Sequence, residues 1–277
     1  MATLDASRVR PRATGFAASL ADFTGVAKSE WTKFRSVRSS YWTLAIAVVA
    51  TVGLGALLSL AVASRVGHPH GPTRATLDPA LESISGIFLA ELAIGVLGVL
   101  VVSSEFTTGL ARVSAAAVPS RSLLLAAKAT VFGAVVLVVG EISAFAAFFA
   151  GQAVLSTKSL QTTLSAPGVA RAVASGGVYL LIVGLLGLGL AGIVRRTAGA
   201  IAALFGLLLV LPLLVLPLPS PWSGDISTYL PSSVGMDLLT PVRAAGSLSP
   251  LEAGLIFAAY AVAALVGAFV LTNLRDV

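Results

Sequence analysis

Long apolar runs dominate the pattern of this chain and predict helices that cross a membrane. A run of about 18 or more apolar residues can cross roughly 30 Å of hydrocarbon as a helix. Short polar segments separate six such runs, so an all-α integral membrane protein with six transmembrane helices is expected. The six spans are predicted at about residues 42–64, 82–103, 128–151, 171–194, 198–218 and 251–273.

A different period precedes the first span. Residues 15–41 carry apolar side chains at every third or fourth position, as amphipathic helices do. Lys28 and Lys33 lie off this apolar face, whereas Glu30 falls near its edge. We predict an interfacial helix over 15–41 that follows a disordered basic tail at 1–14 and lies along membrane lipid. The alternative is a long cytoplasmic start to the first span.

A polar segment, SSEFTTGLARVSAAAVPSRS, occupies residues 103–122 between the second and third runs. Ser103 or Ser104 is predicted to cap a short helix here, and Glu105 suits the positive end of that helix's dipole. Pro119 would end the segment before the third run. A short exposed helix of this kind is well shaped to dock in a groove of another protein.

Two further segments have a distinctive composition. The fourth run, GGVYLLIVGLLGLGLAG, is rich in glycine, which predicts close packing between helices in lipid. The connection at residues 219–250 contains ISTYLPSSVGMDLLTPV, which is too short to span a membrane. A re-entrant or interfacial helix and an ordinary loop are both compatible with it.

Composition and charge agree with a membrane protein. The chain is 57% hydrophobic and 11% charged, whereas soluble domains carry about 25% charged residues. With cytoplasmic termini, 13 Lys and Arg residues would lie inside and 5 outside. This excess predicts that both termini are cytoplasmic in a multi-pass protein of the cell membrane. The net charge of +6 is spread beside the spans, which argues against a nucleic-acid partner.

The sequence lacks the usual motifs of enzymes and metal sites. It contains no Gly-Lys pair and therefore no phosphate-binding GxxxxGK[ST] loop, no HExxH and no GxSxG. Two histidines without a cysteine cannot build a zinc site. We therefore expect no enzyme activity, no cofactor and no metal in this chain.

Two acidic residues, Glu91 and Glu141, lie inside predicted spans. Both should sit at a similar depth, roughly 18–20 Å from the inner ends of their helices. A carboxyl group in lipid is costly, so each should face protein or water. They are candidates for lining the path of a cationic or amphipathic substrate, or for carrying protons. The alternative is a carboxyl group hydrogen-bonded to a neighbouring helix.

Three stretches resemble a known family when they are taken in order. They are AKSEWTKFRSVRSSYWTL before the first span, AELAIGVLGVLVVSSEFTTGLARVSAAAVPSRSLLLAAK in the centre, and YLPSSVGMDLL before the last span. Together they resemble type 2 ATP-binding-cassette transporter permeases of high-GC Gram-positive bacteria. The residues of the central pattern are Ser104, Glu105, Phe106, Gly109, Arg112, Val118, Pro119, Arg121, Ala127 and Lys128.

The resemblance implies an architecture and a set of partners. It implies a cytoplasmic coupling helix between the second and third spans, a second permease subunit in a homodimer or heterodimer, and two separately encoded ATPase subunits. It places the ATPase contact at Ser104, Glu105, Phe106, Gly109 and Arg112. One departure is Glu91, where the family would lead us to expect a neutral polar residue.

These observations favour the permease subunit of an ATP-driven exporter of a hydrophobic or amphipathic small molecule, such as a drug, an antibiotic or a lipid-like compound. A second hypothesis is a proton-coupled secondary transporter that uses Glu91 and Glu141. A third is a non-transporting membrane anchor. The first depends on an ATPase partner, whereas the second predicts transport without one.

Overall fold

A computed structural model gives the fold, and it describes residues 16–66, 77–107, 121–219, 222–243 and 246–274. These residues form eleven α-helices, and no strand occurs among them. A π-helical turn, Gly206–Val210, joins α7 to α8. The helices are α1 Phe16–Ser36, α2 Arg38–Arg65, α3 Pro79–Ile84, α4 Ile87–Thr107, α5 Arg121–Ser156, α6 Val169–Val194, α7 Thr197–Phe205, α8 Leu211–Val215, α9 Trp222–Tyr229, α10 Pro231–Leu239 and α11 Pro250–Leu274.

Six helical segments within the described residues are long and apolar enough to cross a membrane. The prediction of an all-α membrane protein with six spans is therefore confirmed. The segments are Arg38–Arg65, Ile87–Phe106, Ser122–Ser156, Val169–Val194, Thr197–Val215 and Pro250–Leu274.

The glycine-rich helix α6 forms the centre of the bundle. In the most apolar stretch of α6, 67% of the residues are buried, compared with 22% in the corresponding stretches of α2 and α11. Gly98 of α4 lies directly against the backbone of Gly184, and Gly187 lies against the backbone of Gly95. A Cβ at Gly98 or Gly187 would overlap the opposing carbonyl oxygen. The absence of side chains therefore permits the close packing of α4 on α6.

The second span begins later than the pattern predicts. Residues 82–86 belong to the short helix α3 and to a turn, and α4 begins only at Ile87. Asp78 caps α3, because its carboxylate accepts hydrogen bonds from the backbone N–H groups of Ala80 and Leu81, each at 3.1 Å. The turn at Gly86 packs against the backbone of α2, where a side chain would not fit.

The end of the second span also differs from the prediction. Helix α4 continues without a break to Thr107, so Ser103 and Ser104 lie inside its last turns. The prediction that either serine caps a new helix is wrong, because their backbones already take part in α4. The greater part of the predicted coupling helix, including Gly109 and Arg112, lies outside the described residues.

The connection before the last span is largely helical. Helices α9 and α10 occupy most of it, and α10 packs with buried residues against α6 and α11. Arg171 of α6 fastens the end of α10, because its guanidinium donates to the carbonyl oxygens of Leu238 (3.0 Å), Thr240 (2.7 Å) and Pro241 (3.2 Å). The segment is therefore helical and not an ordinary loop, and its re-entrant or interfacial placement stays a prediction.

Candidate functional site

Four charged side chains meet where α1, α4 and α5 come together, and we call them the ionic quartet. They are Glu30 and Lys33 of α1, Glu105 of α4 and Lys128 of α5. The ammonium of Lys128 lies 2.5 Å from Glu30 and 2.9 Å from Glu105. The ammonium of Lys33 lies 2.7 Å from Glu30 and 3.3 Å from Glu105. Each cation therefore bridges both carboxylates, and the quartet ties three helices together.

Burial makes the ionic quartet more than a surface feature. The side chains of Lys128 and Glu30 are only 7% and 4% exposed, whereas Lys33 is 44% exposed. Charges removed from water are tolerated only when they are paired and hydrogen-bonded. Two ammonium groups facing two carboxylates meet that condition, and the quartet is electrically neutral.

The ionisation of the two α1 residues follows from these contacts. Burial raises the pKa of Glu30, but the ammonium groups of Lys128 and Lys33 outweigh burial and hold this pKa below its usual range. Burial lowers the pKa of Lys33, but the carboxylates of Glu30 and Glu105 outweigh burial and raise it. Both side chains are therefore charged at neutral pH.

The helices position the ionic quartet by simple spacing. Lys33 follows Glu30 by three residues, so both side chains project from the same side of α1. Glu105 lies in the last turn of α4, and Lys128 lies near the beginning of α5. The rings of Phe34 and Phe132, whose centroids are 6.4 Å apart, pack α1 on α5 beside the charges.

A cavity of about 370 Å³ adjoins the ionic quartet between α1, α2, α4 and α5. One part of its wall is polar and the other is apolar, which suits a molecule with both characters. The polar part consists of the quartet with Ser36, Ser39, Ser40 and Ser104, and the apolar part consists of Phe34, Val37, Leu97, Leu100, Val101, Val131 and Phe132.

The residues that the resemblance assigns to the ATPase contact have different surroundings. Ser104 is exposed, whereas Glu105 is 15% exposed within the ionic quartet. Phe106 is half-buried, and the guanidinium of Arg195 lies 5.5 Å from its ring centroid. Glu105 and Phe106 are therefore engaged inside the molecule. Their contacts hold the end of α4 in place.

The short turn between α6 and α7 supports the same end of α4. The hydroxyl of Thr197 donates a hydrogen bond to the hydroxyl of Ser103 at 2.9 Å. Arg195, at the end of α6, donates to the carbonyl oxygen of Leu271 in α11 at 3.1 Å. The end of α4 is thus held by α1 and α5 on one side and by the α6–α7 turn on the other.

Glu91 is buried and hydrogen-bonded to a neighbouring helix. It is 5% exposed, and the hydroxyl of Tyr179 in α6 donates to its carboxyl oxygen. The ring of Tyr179 packs edge-on against Phe88 and lies 5.3 Å from Phe257, centroid to centroid. This environment matches the alternative in which Glu91 is satisfied inside the bundle.

Glu141 of α5 lies against a different part of the central helix α6. It is half-buried over Gly177 of α6, and it forms no hydrogen bond or ion pair with any described residue. Gly177 and Tyr179 are two positions apart, which places them about 200° apart around α6. Glu91 and Glu141 therefore contact different sides of α6. The structure does not bring them together in one site.

Sequence reasoning missed the pairing of Glu30 with Lys128. The available signal was Glu30 itself, an acidic residue at the edge of an otherwise apolar face. Lys128, at the start of the third run, was recognised only as a member of the family pattern, without a predicted partner. No group of three or more His, Cys, Asp or Glu side chains in the described ranges could hold a metal ion.

No protein-family model matches the chain, and no curated protein matches its sequence.

Proposed function

We propose that this chain is the membrane-spanning permease subunit of an ATP-binding-cassette exporter. It moves a hydrophobic or amphipathic small molecule, and a separate ATPase subunit supplies the energy. The observation that carries this proposal is the ionic quartet, because it fastens both ends of the polar segment 108–120 to the spans and to α1. The resemblance of three sequence stretches to type 2 permeases supports the choice of this family.

The arrangement suits the transmission of force. The segment 108–120 leaves α4 two residues after Glu105 and enters α5 seven residues before Lys128. A push on this segment acts on two stiff helices at once. The contacts of Glu30 carry the same displacement to α1. Glu105 and Phe106 are then positioning residues, and Ser104, Gly109 and Arg112 are left to touch the ATPase.

The cavity beside the ionic quartet supports an amphipathic cargo. It combines serine hydroxyl groups and charges with apolar walls, and it lies between helices at the end of the bundle that receives the force. In this proposal both termini are cytoplasmic, the complex lies in the cell membrane, and a second permease subunit completes it as a homodimer or heterodimer.

The decisive experiment replaces residues 108–118 with a Gly/Ser chain of equal length. This change leaves α4, α5 and the ionic quartet intact, unlike a deletion that begins at Ser104. We expect the tagged variant, purified from its native membrane, to insert normally and to lose the ATP hydrolysis that accompanies the parent protein. The same replacement at residues 67–76, at the opposite end of the bundle, is the matched control and should keep the activity.

Two results would contradict the proposal. One is ATP hydrolysis that co-purifies equally with the 108–118 variant. The other is a parent protein that carries no ATPase at all when it is purified in gentle detergent.

The surroundings of Glu141 favour one alternative, a proton-coupled transporter. A half-buried carboxyl group without a partner among the described residues is a candidate proton carrier within a span. In vesicles that contain this chain alone, a pH gradient should then drive transport, and Glu141→Gln should abolish it. Glu91→Gln is the comparison, because Glu91 already accepts the hydroxyl of Tyr179.

A further inference from the structure

An open groove runs between α1 and the outward face of α5, on the other side of α1 from the ionic quartet. Its volume is about 690 Å³. Its walls are almost entirely hydrocarbon. The lining residues are Phe23, Thr24, Ala27, Lys28 and Trp31 of α1, and Thr130, Val131, Ala134, Val135, Val138 and Val139 of α5.

The dimensions of the groove match one leaflet of a bilayer. Its lining residues on α5 run from Thr130 to Val139, which is about 13 Å along the helix. The hydrocarbon core of a membrane is about 30 Å thick, so the groove extends over nearly half of it. Val138 is 58% exposed and Trp31 is 46% exposed, so the groove opens outward from the bundle. The medium on that face of a six-span protein is lipid.

The polar groups of the groove are few, with Thr24 and Lys28 on α1 and Thr130 on α5. The hydroxyl of Thr130 is already used, because it donates to the carbonyl oxygen of Ala126 at 2.8 Å. Lys28 is the one charged side chain among the described lining residues, and it is exposed. Both carboxylate oxygens of nearby Glu30 are taken by Lys33 and Lys128. Lys28 consequently has no ion-pair partner among the described residues.

We propose that this groove binds one anionic phospholipid from the membrane. The acyl chain lies between α1 and α5 against Val135 and Val138, and the phosphate of the headgroup pairs with the ammonium of Lys28. Trp31 sits at the rim, where tryptophan favours the boundary between headgroups and hydrocarbon. The site depends on the six-span fold and not on an ATPase partner, so it extends beyond the proposed function.

Fluorescence of Trp31 tests the proposal directly. The chain has three tryptophans, and the other two, Trp42 and Trp222, are 71% and 67% exposed and can be replaced by phenylalanine. The protein is reconstituted into phosphatidylcholine vesicles containing a small fraction of lipid with brominated acyl chains. Brominated phosphatidylglycerol should quench Trp31 at about a fivefold lower fraction than brominated phosphatidylcholine, which is the preference that one lysine near an anionic headgroup supplies.

Four substitutions separate a built site from general contact with lipid. Lys28→Ala should remove the preference, whereas Arg35→Ala, a matched loss of an exposed α1 charge that does not line the groove, should keep it. Ala134→Phe fills the groove and should weaken quenching by both lipids. Ala27→Leu repeats that test from the opposite wall, should Ala134→Phe fold poorly.

Several outcomes would overturn the site. Equal quenching by the two lipids in the parent protein would mean that Trp31 touches bulk lipid only. An equal effect of Lys28→Ala and Arg35→Ala would assign the preference to the diffuse charge of α1. The absence of quenching by either lipid would mean that protein fills the groove.

Discussion

Lys128 and Glu30 illustrate how much depends on individual residues in an apolar bundle. Each is buried, and each is the closest charged partner of the other at 2.5 Å. Removing Lys128 leaves the two carboxylates to share the ammonium of Lys33, so the quartet keeps one uncompensated negative charge, whereas water can replace the exposed Lys33. The ionic quartet therefore contains one indispensable pair and one peripheral cation, Lys33.

Lys128→Met should lower the free energy of unfolding by about 3 kcal/mol, because the buried carboxylate of Glu30 then keeps only the partly exposed Lys33 and shares it with Glu105. Lys33→Met is the matched control. Its side chain is 44% exposed, so the loss should be about 1 kcal/mol or less. Unfolding in mixed detergent and dodecyl sulfate micelles measures both values. Equal losses in the two variants would contradict the assignment.

The ionic quartet also predicts how the attachment of α1 responds to pH. The folded pKa of Glu30 lies below the usual 4.5, so its stabilising contribution is present above that value and is lost as the pH falls through the folded pKa. The folded pKa of Lys33 lies above the usual 10.5, so its contribution is present below that value and is lost as the pH rises through the folded pKa.

Hydrogen exchange of residues 22–36, corrected for the intrinsic pH dependence of exchange, should be slowest between about pH 5 and pH 10. Exchange in these residues should accelerate below and above this pH range, relative to exchange in α6. In Glu30→Gln the acid transition should disappear. An acid transition that survives this substitution would locate the responsible carboxyl group elsewhere.

The buried contact of Glu91 with Tyr179 leads to a prediction about stability. Glu91→Leu leaves the hydroxyl of Tyr179 without an acceptor in a dry site, which should cost about 1–3 kcal/mol. Glu91→Gln retains an acceptor oxygen and should cost less. The double variant Glu91→Leu with Tyr179→Phe should recover part of the loss, since no polar group is then stranded. Thermal unfolding in detergent compares the variants. A loss in the double variant equal to the sum of the two single losses would refute the contact.

The sequence predicted that Glu91 faces protein or water, and the physical reason was local: carboxyl groups avoid lipid. The identity of the partner was beyond local reasoning, because Tyr179 lies 88 residues further along the chain. The same holds for Lys128 and Glu30, which are 98 residues apart. Pairing at such separations depends on which helices become neighbours.

Among the helices, the packing of α4 on α6 rests on glycine at the points of closest approach. The glycine-rich sequence of α6 predicted close packing for that helix. No such prediction was made for α4, although its Gly95 and Gly98 form the opposite side of the contact. A stripe of small residues reveals that a helix packs closely. It does not reveal which helix is the partner, because any helix with small side chains on one face could pack against it.

Gly98→Ala should destabilise the bundle by about 1–3 kcal/mol, because the new methyl group meets the backbone of Gly184 and Leu188. Gly53→Ala is the control. Gly53 lies within α2 with no atom near its missing side chain, so alanine should be neutral or stabilising there by about 0.5–1 kcal/mol. The free energy of unfolding in mixed micelles separates the two. Similar losses would show that the effect is not one of close approach.

The boundaries of α4 show where patterns along the chain fail at this scale. Its apolar run suggested a start near residue 82, but the fit of Gly86 against α2 breaks the helix there. Its polar end suggested a new helix at Ser103, but Ser103 bonds Thr197 and Glu105 pairs with Lys128, so both side chains find partners on other helices while their backbones stay in α4. Tertiary contacts thus override the local preference at both ends.

For the whole molecule, the six spans place α1 and the end of α11 at one end of the bundle, and α3, α9 and α10 at the other. The direction of this bundle in the membrane is a prediction from the distribution of Lys and Arg. The force-transmission proposal requires the segment 108–120 to face the ATPase, and hence the cytoplasm.

Single cysteines test this orientation, because the chain has none of its own. Thr108→Cys should react with a membrane-impermeant maleimide only after the cells are permeabilised. Gly224→Cys, in the exposed helix α9 at the opposite end, should react in intact cells. The reverse labelling pattern would invert the topology and remove the proposed contact with an ATPase.

The sequence by itself determined that the protein is a helical membrane protein with six spans preceded by a further helix. Run length and period are properties of neighbouring residues, and the lack of water in the bilayer forces each run to satisfy its own backbone as a helix. Only the tertiary structure decided that Glu30, Glu105 and Lys128 form one buried network, that Glu91 binds Tyr179, and that α1 leaves an apolar groove beside α5. These features join residues far apart in the chain, and they exist only once the helices have packed.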